Sequence, residues 1–259
     1  MAQLLYPFFP QSLSFGMSQW ALMAMGVLVA YVIFGMAGFG TALVAGPVLA
    51  QVLPVRQIVP LLALLDCAAA LTSVIRELRA ADTAELGRLL PFMLMGSGAG
   101  AAILLHGRPD ILLLGLGVFA VGYAVYTLSG LRPHSRFPPR ASVPFGFVGG
   151  VFSALFGSGG FIYAIYLSGR LGGKDEIRVT QAALIGVSTL TRLVLFAFAG
   201  VYADAGLWGL ALLFAPLMLA GSALGRRITL RLSREQFLKV VSGVVLVSGA
   251  LLIVRYFSS

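Results

Sequence analysis

Two glycine clusters carry the residues best suited to chemistry. Phe34-Gly35-Met36-Ala37-Gly38-Phe39-Gly40-Thr41 and Phe156-Gly157-Ser158-Gly159-Gly160 each interrupt a long apolar stretch. Glycine frees the backbone from helix geometry and leaves its N–H groups approachable. At membrane depth such irregular backbone is tolerated only where it is buried in protein or lines a cavity. A half-helix that starts at such a break presents unpaired N–H groups and the positive end of its dipole, which together favour an anion. The second arms begin at Thr41 and at Gly160-Phe161, and Thr41 and Ser158 add hydroxyls that either donate to a ligand or cap their own helices. Close helix packing by small residues is the competing reading of the glycines. Their occurrence at matching places in two halves of the chain favours a binding site.

Arg192 lies within the apolar run Leu184–Phe198, with no acid near it in sequence. An arginine inside a membrane helix is costly and marks function by default. Its planar fork suits an oxyanion, and the alternatives are outward snorkelling or pairing with Asp66. Asp66 is the one acid inside an apolar helix, suited to proton coupling, to pairing with Arg192 or to a polar helix contact. Thr72-Ser73 and Thr191-Arg192 hold matching points on the helices that follow the clusters. Their hydroxyls either reach a ligand or bond back to their own helix carbonyls. Phe39, Phe161, Tyr163 and Tyr166 flank the clusters and either line a pocket or pack. Gln57 and Gln181 are expected at helix starts, near the interface.

The chain as a whole suits a bilayer. Of its 259 residues, 59% are hydrophobic and 10% charged, and the mean hydropathy of +0.97 argues against a water-soluble domain. No charge precedes Arg56, so the basic start of a signal peptide is missing and the first apolar segment is expected to remain. The net charge of +9 comes from cations in short loops, as the positive-inside rule places them, and predicts no nucleic-acid partner. Cys67 is the single cysteine, and His106 and His134 sit at segment ends, which predicts neither disulfide nor metal centre. No phosphate-binding loop, zinc-helix motif or nucleophile elbow occurs, so an enzyme is not expected. No cofactor is implied.

The elements that must position these residues read as all-α, in two halves. Residues 1–16 are an interfacial lead-in. The first repeat, 1–131, holds an interrupted segment at about 18–52 and helices near 58–74, 86–105 and 111–131. A polar stretch at 132–141 links it to the second repeat, 142–259, with its interrupted segment at about 142–169 and helices near 179–199, 207–224 and 237–256. Leu71-Thr72-Ser73 answers Leu190-Thr191-Arg192, and Pro91-Phe92-Met93-Leu94-Met95-Gly96-Ser97 answers Pro216-Leu217-Met218-Leu219-Ala220-Gly221-Ser222. Gly115, Gly117 and Gly122 read as helix-packing residues.

Two topologies compete. If each interrupted segment spans, there are eight crossings and the loop cations divide almost evenly. If each folds back as a re-entrant hairpin, the halves are inverted and only Arg56, Arg108 and Arg255 fall on one side. The lopsided distribution is the one cytoplasmic cations favour. It puts both termini and the 53–57 turn outside, and 132–141 and 226–234 in the cytoplasm.

The paired glycine breaks, with Gly35-Met36-Ala37-Gly38-Phe39-Gly40-Thr41 and Pro47 in the first copy and Gly157-Ser158-Gly159-Gly160 in the second, resemble the sulfite exporter TauE/SafE family, also described as toluene sulfonate uptake permeases. The resemblance runs from about Trp20 to Val254. Thr41 stands where a further glycine is common, and Tyr166 stands in the second copy where Pro47 stands in the first. The resemblance implies a multi-pass transporter of the bacterial-type plasma membrane, moving sulfite, sulfonates or related anions. Its expected substrate site gathers Gly38, Phe39, Gly40, Thr41, Thr72, Ser73, Gly157, Ser158, Gly159, Gly160, Thr191 and Arg192, with Asp66 as a coupling group. Its partners are then a small anion and the lipid bilayer. The alternatives are a carrier or channel for another small anion such as a carboxylate, or a membrane subunit that transports nothing.

Overall fold

The computed structural model describes residues 15–37, 41–70, 81–129, 137–229 and 234–258. Every described element is helical. Helices α1 (Met17–Ala37) and α2 (Thr41–Leu49) flank the first cluster, followed by α3 (Val55–Ala70), α4 (Thr83–His106) and α5 (Pro109–Leu128). After a 3-10 turn at Pro139–Ala141 come α6 (Ser142–Phe156) and α7 (Gly159–Ser168) about the second cluster. Then follow α8 (Lys174–Phe198), a 3-10 turn at Val201–Ala203, α9 (Ala205–Thr229) and α10 (Arg234–Ser258).

Five of these helices contain stretches long and apolar enough to cross a bilayer: Met17–Met36, Thr83–His106, Asp110–Leu128, Glu176–Phe198 and Ala205–Ile228. Large apolar side chains such as Leu94, Met95, Val118, Leu212, Leu219 and Leu251 are exposed along α4, α5, α9 and α10. A surface so apolar suits lipid rather than water. This is an integral membrane protein.

The short helices are different. With 9 and 10 residues, α2 and α7 are about 14–15 Å long, half the roughly 30 Å of a hydrocarbon core. Val48 of α2 lies against Gly26 of α1, and Tyr163 of α7 lies against Gly149 of α6. Each short helix therefore runs back along the longer one before it. The first break is narrower than the sequence predicts, because Gly35-Met36-Ala37 stays helical at the end of α1. Gly35 is there for contact: a Cβ on it would meet the Ser222 carbonyl oxygen at 2.3 Å.

That contact belongs to a crossing of α1 with α9, where Gly221 and Gly225 in turn approach the carbonyls of Leu28 and Val32. Helices α4 and α6 cross in the same way, through Gly96 and Gly100 against the carbonyls of Phe147 and Val151. The matched Pro-to-Gly segments of the two halves thus do one job, letting backbones touch where side chains would hold them apart. Gly117 does likewise against Gly249 of α10, whereas Gly122 faces open space and is not a packing residue. At the centre α3 packs on α8, α3 also meets α9, and α8 meets α4.

At one end of the bundle Asp82 caps α4, its carboxylate accepting from the Glu85 N–H at 2.7 Å. The Glu85 carboxylate receives the Tyr166 hydroxyl at 2.7 Å, Arg170 at 2.7 and 2.9 Å and Arg88 at 2.6 Å. Arg170 also donates to the Phe137 carbonyl at 3.1 Å, so the end of α7, the start of α4 and the chain entering α6 are tied together. Bonded to Glu85, the Arg170 guanidinium is held above its ordinary pKa range.

Candidate functional site

Among the described residues, the apolar centre between α3 and α8 contains one acid and one base. Asp66 is 3% exposed and Arg192 2%. Arg192 Nη2 lies 3.3 Å from Asp66 Oδ2, which also accepts the Thr41 hydroxyl at 3.0 Å. The other carboxylate oxygen accepts the Tyr31 hydroxyl at 2.8 Å. Helices α1, α2, α3 and α8 thus each give one side chain to a single polar knot. A carboxylate taken from water needs such compensation, and three donors supply it.

The guanidinium is less well served. It has five N–H bonds, and the two on Nη2 go to Asp66 and to the Thr189 hydroxyl at 3.2 Å. Nε and Nη1 are buried and meet no protein acceptor. Unpaired donors on a buried cation are expensive in a folded chain. They are also what an anion needs.

What Nη1 faces is the second glycine cluster. Gly157 ends α6 in the left-handed conformation, with φ +61°, a region open to glycine at little cost. A Cβ there would stand 3.0 Å from Arg192 Nη1 and 3.3 Å from the Ala42 Cβ. The missing side chain therefore leaves room at the guanidinium, between the two interrupted segments. One helical turn back on each element, the Ser153 and Ser188 hydroxyls bond to each other. Ser153 precedes Gly157 by four residues and Ser188 precedes Arg192 by four, so two polar rows run side by side. Tyr163 completes this face: its hydroxyl sits beside Gly159, fully buried and without a partner.

Of the residues expected at the site, Thr41, Asp66, Gly157 and Arg192 come together, and Gly159 lies close by through Tyr163. Gly38, Phe39, Gly40, Thr72 and Ser73 lie outside the described residues. The Ser158 hydroxyl neither caps α7 nor turns to Arg192; it donates to the Phe156 carbonyl at 2.7 Å. Thr191 gives its hydroxyl to the Val187 carbonyl at 2.9 Å, back along its own helix. The Gly160 carbonyl accepts Gln181 at 3.1 Å. Gln181 is thus not at a helix start as its position suggests, because α8 starts at Lys174 and puts it two turns inside. Phe161 packs against Tyr123, Tyr126 and Phe119 rather than lining the face by Arg192. Tyr31, Ser153, Ser188 and Thr189 are members the sequence reading missed. Ser188 and Ser153 had a readable signal in their four-residue spacing to Arg192 and Gly157, whereas Tyr31 had none. No group of three or more metal-ligating side chains occurs among the described residues.

No curated protein and no solved structure matches the chain. Residues 22–252 match the family model described as sulfite exporter TauE/SafE, most of the chain, and the protein belongs to that family of membrane transporters for sulfur-containing anions.

Proposed function

We propose that this TauE/SafE member carries sulfite or small sulfonates across a bacterial inner membrane, holding the anion near the midplane at Arg192. The observation that carries the reading is the guanidinium itself: fully buried, charged, and with Nε and Nη1 unpartnered beside a glycine that keeps the space clear. A trigonal or tetrahedral oxyanion offers acceptors to several N–H bonds at once. The Tyr163 hydroxyl and the Ser153–Ser188 pair supply further polar groups on the same face.

The arrangement of helices supports alternating access between two related halves. Each half sends its fourth-placed helix, α4 or α9, across the longer arm of the other half's interrupted segment, α6 or α1. Such exchange, together with arms that fold back on themselves, favours inverted repeats with re-entrant hairpins over eight crossings. Both termini then face outward, and Arg192 meets the anion between the two hairpins, a common place for a substrate in transporters built from repeats.

The test is uptake of labelled sulfite and of methanesulfonate into proteoliposomes, with acetate as a carboxylate competitor. The proposal expects saturable uptake of the sulfur anions, weak competition by acetate, and loss of uptake in Arg192→Ala. Equal competition by acetate would point to a carrier of small anions in general, and no uptake of any anion to a non-transporting role.

A further inference from the structure

We infer that helix α7 is the cytoplasmic gate of the anion path, hinged at the second glycine cluster and held shut at its far end by Glu85. The inference rests on Arg192 as the anion's ligand and on the inverted arrangement, and it names the element that moves when the site opens to the cytoplasm.

The elements around α7 form a frame with little freedom. Helices α4 and α6 cross at backbone contact, with Gly96 and Gly100 against the carbonyls of Phe147 and Val151. The Asp82 N–H donates to the Thr180 hydroxyl at 3.0 Å, which joins the start of α4 to α8. Against this frame lies α7, only 10 residues long. Its Tyr163 and Tyr166 share a buried apolar cluster with Leu89 and Met93 of α4 and with Ala183 and Leu184 of α8. That cluster runs from Tyr163, beside the site, to Tyr166, bonded at the Glu85 end of the bundle. While α7 stays in place, the cluster fills the way from Arg192 to that end.

The two ends of α7 are held in different ways. Before its start, Gly157 turns the chain at φ +61°, and the Ser158 hydroxyl makes no cap bond to the helix. The Gln181 side chain donates to the Gly160 carbonyl at 3.1 Å and pins this end to α8. At the far end the hold is electrostatic. The Tyr166 hydroxyl donates to Glu85 at 2.7 Å and Arg170 donates twice, at 2.7 and 2.9 Å. Arg170 also donates to the Phe137 carbonyl at 3.1 Å, and the Phe137 N–H donates to the Gly169 carbonyl at 3.0 Å. A pinned end next to a glycine turn, with a bonded far end, is the construction of a hinged arm and its latch.

The latch is built to break. Glu85 is 3% exposed, but the Arg170 and Arg88 side chains keep 21% and 42% of their surface in contact with solvent. When the latch parts, both guanidiniums turn to water that already reaches them, and the carboxylate is uncovered with them. Such a separation costs far less than parting a pair buried on both sides, as Asp66 and Arg192 are. The arm also links the latch to the site. Tyr163, with its unpartnered hydroxyl beside the site, and Tyr166 in the latch are three residues apart on one helix. A swing of α7 that frees Tyr166 from Glu85 therefore also draws Tyr163 back from the anion.

The test reads access to the buried cluster from each side of the membrane. In the full chain with Cys67→Ser, Ala183→Cys puts a single thiol in the cluster. A membrane-impermeant cationic methanethiosulfonate is then applied to inside-out and to right-side-out vesicles. Labelling should be slow from both faces in this background. Adding Glu85→Gln should speed it about tenfold or more from the cytoplasmic face, the effect of losing one charge-assisted bond, and leave the outer face unchanged. Tyr166→Phe takes one hydroxyl from the latch and should give a smaller rise on the same face. Unchanged labelling in both variants would overturn the inference, and so would an equal rise from both faces, the mark of general loosening. Should Glu85→Gln fail to fold, Tyr166→Phe decides alone. Uptake of methanesulfonate by the parent is measured in parallel. If the parent moves the anion while labelling contradicts the gate, the gate alone falls. A parent that neither binds nor moves it removes the transport reading and, with no cargo to admit, the gate as well.

Discussion

At the scale of the residue, the protein depends on a buried arginine that is only half satisfied. Its pairing with Asp66 was among the readings open in the sequence, since each is the lone ionisable residue of its sign within an apolar helix. The two free nitrogens, which carry three N–H bonds, were not readable, because which donors are consumed depends on Thr189 and on the rotamer of the guanidinium. Removing the fork while keeping the charge should separate the two properties of this residue. Arg192→Lys is expected to bind sulfite more weakly, because an ammonium cannot give two parallel bonds, yet better than Arg192→Ala. The bonds lost are each of the charge-assisted kind, about 1.5–3 kcal/mol, so Arg192→Ala should weaken binding roughly 10- to 150-fold or more. Tyr163→Phe removes only an unpartnered hydroxyl. If that hydroxyl meets the anion, the variant should keep its thermal stability in detergent and lose several-fold in sulfite affinity; unchanged affinity would show Tyr163 to be a packing residue.

At the scale of the element, glycines do two kinds of work that look alike in the letters. The similar Gly-Ser segments at Gly96 and Gly221 have the same use in the structure: each lets one helix cross another at backbone contact. The glycine at 157 has a different duty, closing α6 in a left-handed turn beside Arg192. Sequence spacing did not tell these apart, because both sit in apolar runs at similar density. Substitution should. Gly157→Ala meets an unfavourable φ, worth about 1–2 kcal/mol, and pushes on Nη1; transport should fall about tenfold while the crossings stay intact. Gly100→Leu instead forces α4 away from the Val151 carbonyl, which a Cβ would approach to 2.6 Å. That variant should lower the unfolding temperature in detergent, by an overpacking cost of about 1–3 kcal/mol. Gly122→Ala is the control, since nothing lies within 4 Å of the added atom, and it should be neutral or slightly stabilising. If Gly157→Ala transports as the parent does, the space beside Arg192 is not used by the anion.

At the scale of the whole molecule, the proposed inverted arrangement draws on both the loop cations and the helix crossings. The helical character of the chain was readable from its composition, while the ends of particular helices depend on caps such as Asp82 and breaks such as Gly157 that only the fold reveals. Crossings between the halves were not readable, since apolar helices of similar composition fit many partners. The inverted arrangement puts Gln57 outside and Ser135 in the cytoplasm. With Cys67 replaced by serine, single cysteines at Ser135 and Gly172, which flank the second interrupted segment, should label from the same face of intact cells, and labelling from opposite faces would favour eight crossings. The central claim is narrower than topology: the charged pair at the core exists to hold an anion. It is tested most directly by calorimetric titration of sulfite and methanesulfonate into purified parent protein and into the paired variant Asp66→Asn/Arg192→Gln. That variant removes both charges together and avoids the penalty of one buried charge left alone. The account predicts saturable binding to the parent, and no measurable binding to a paired variant that keeps its helical content and unfolding temperature. Binding of equal strength in both would contradict it.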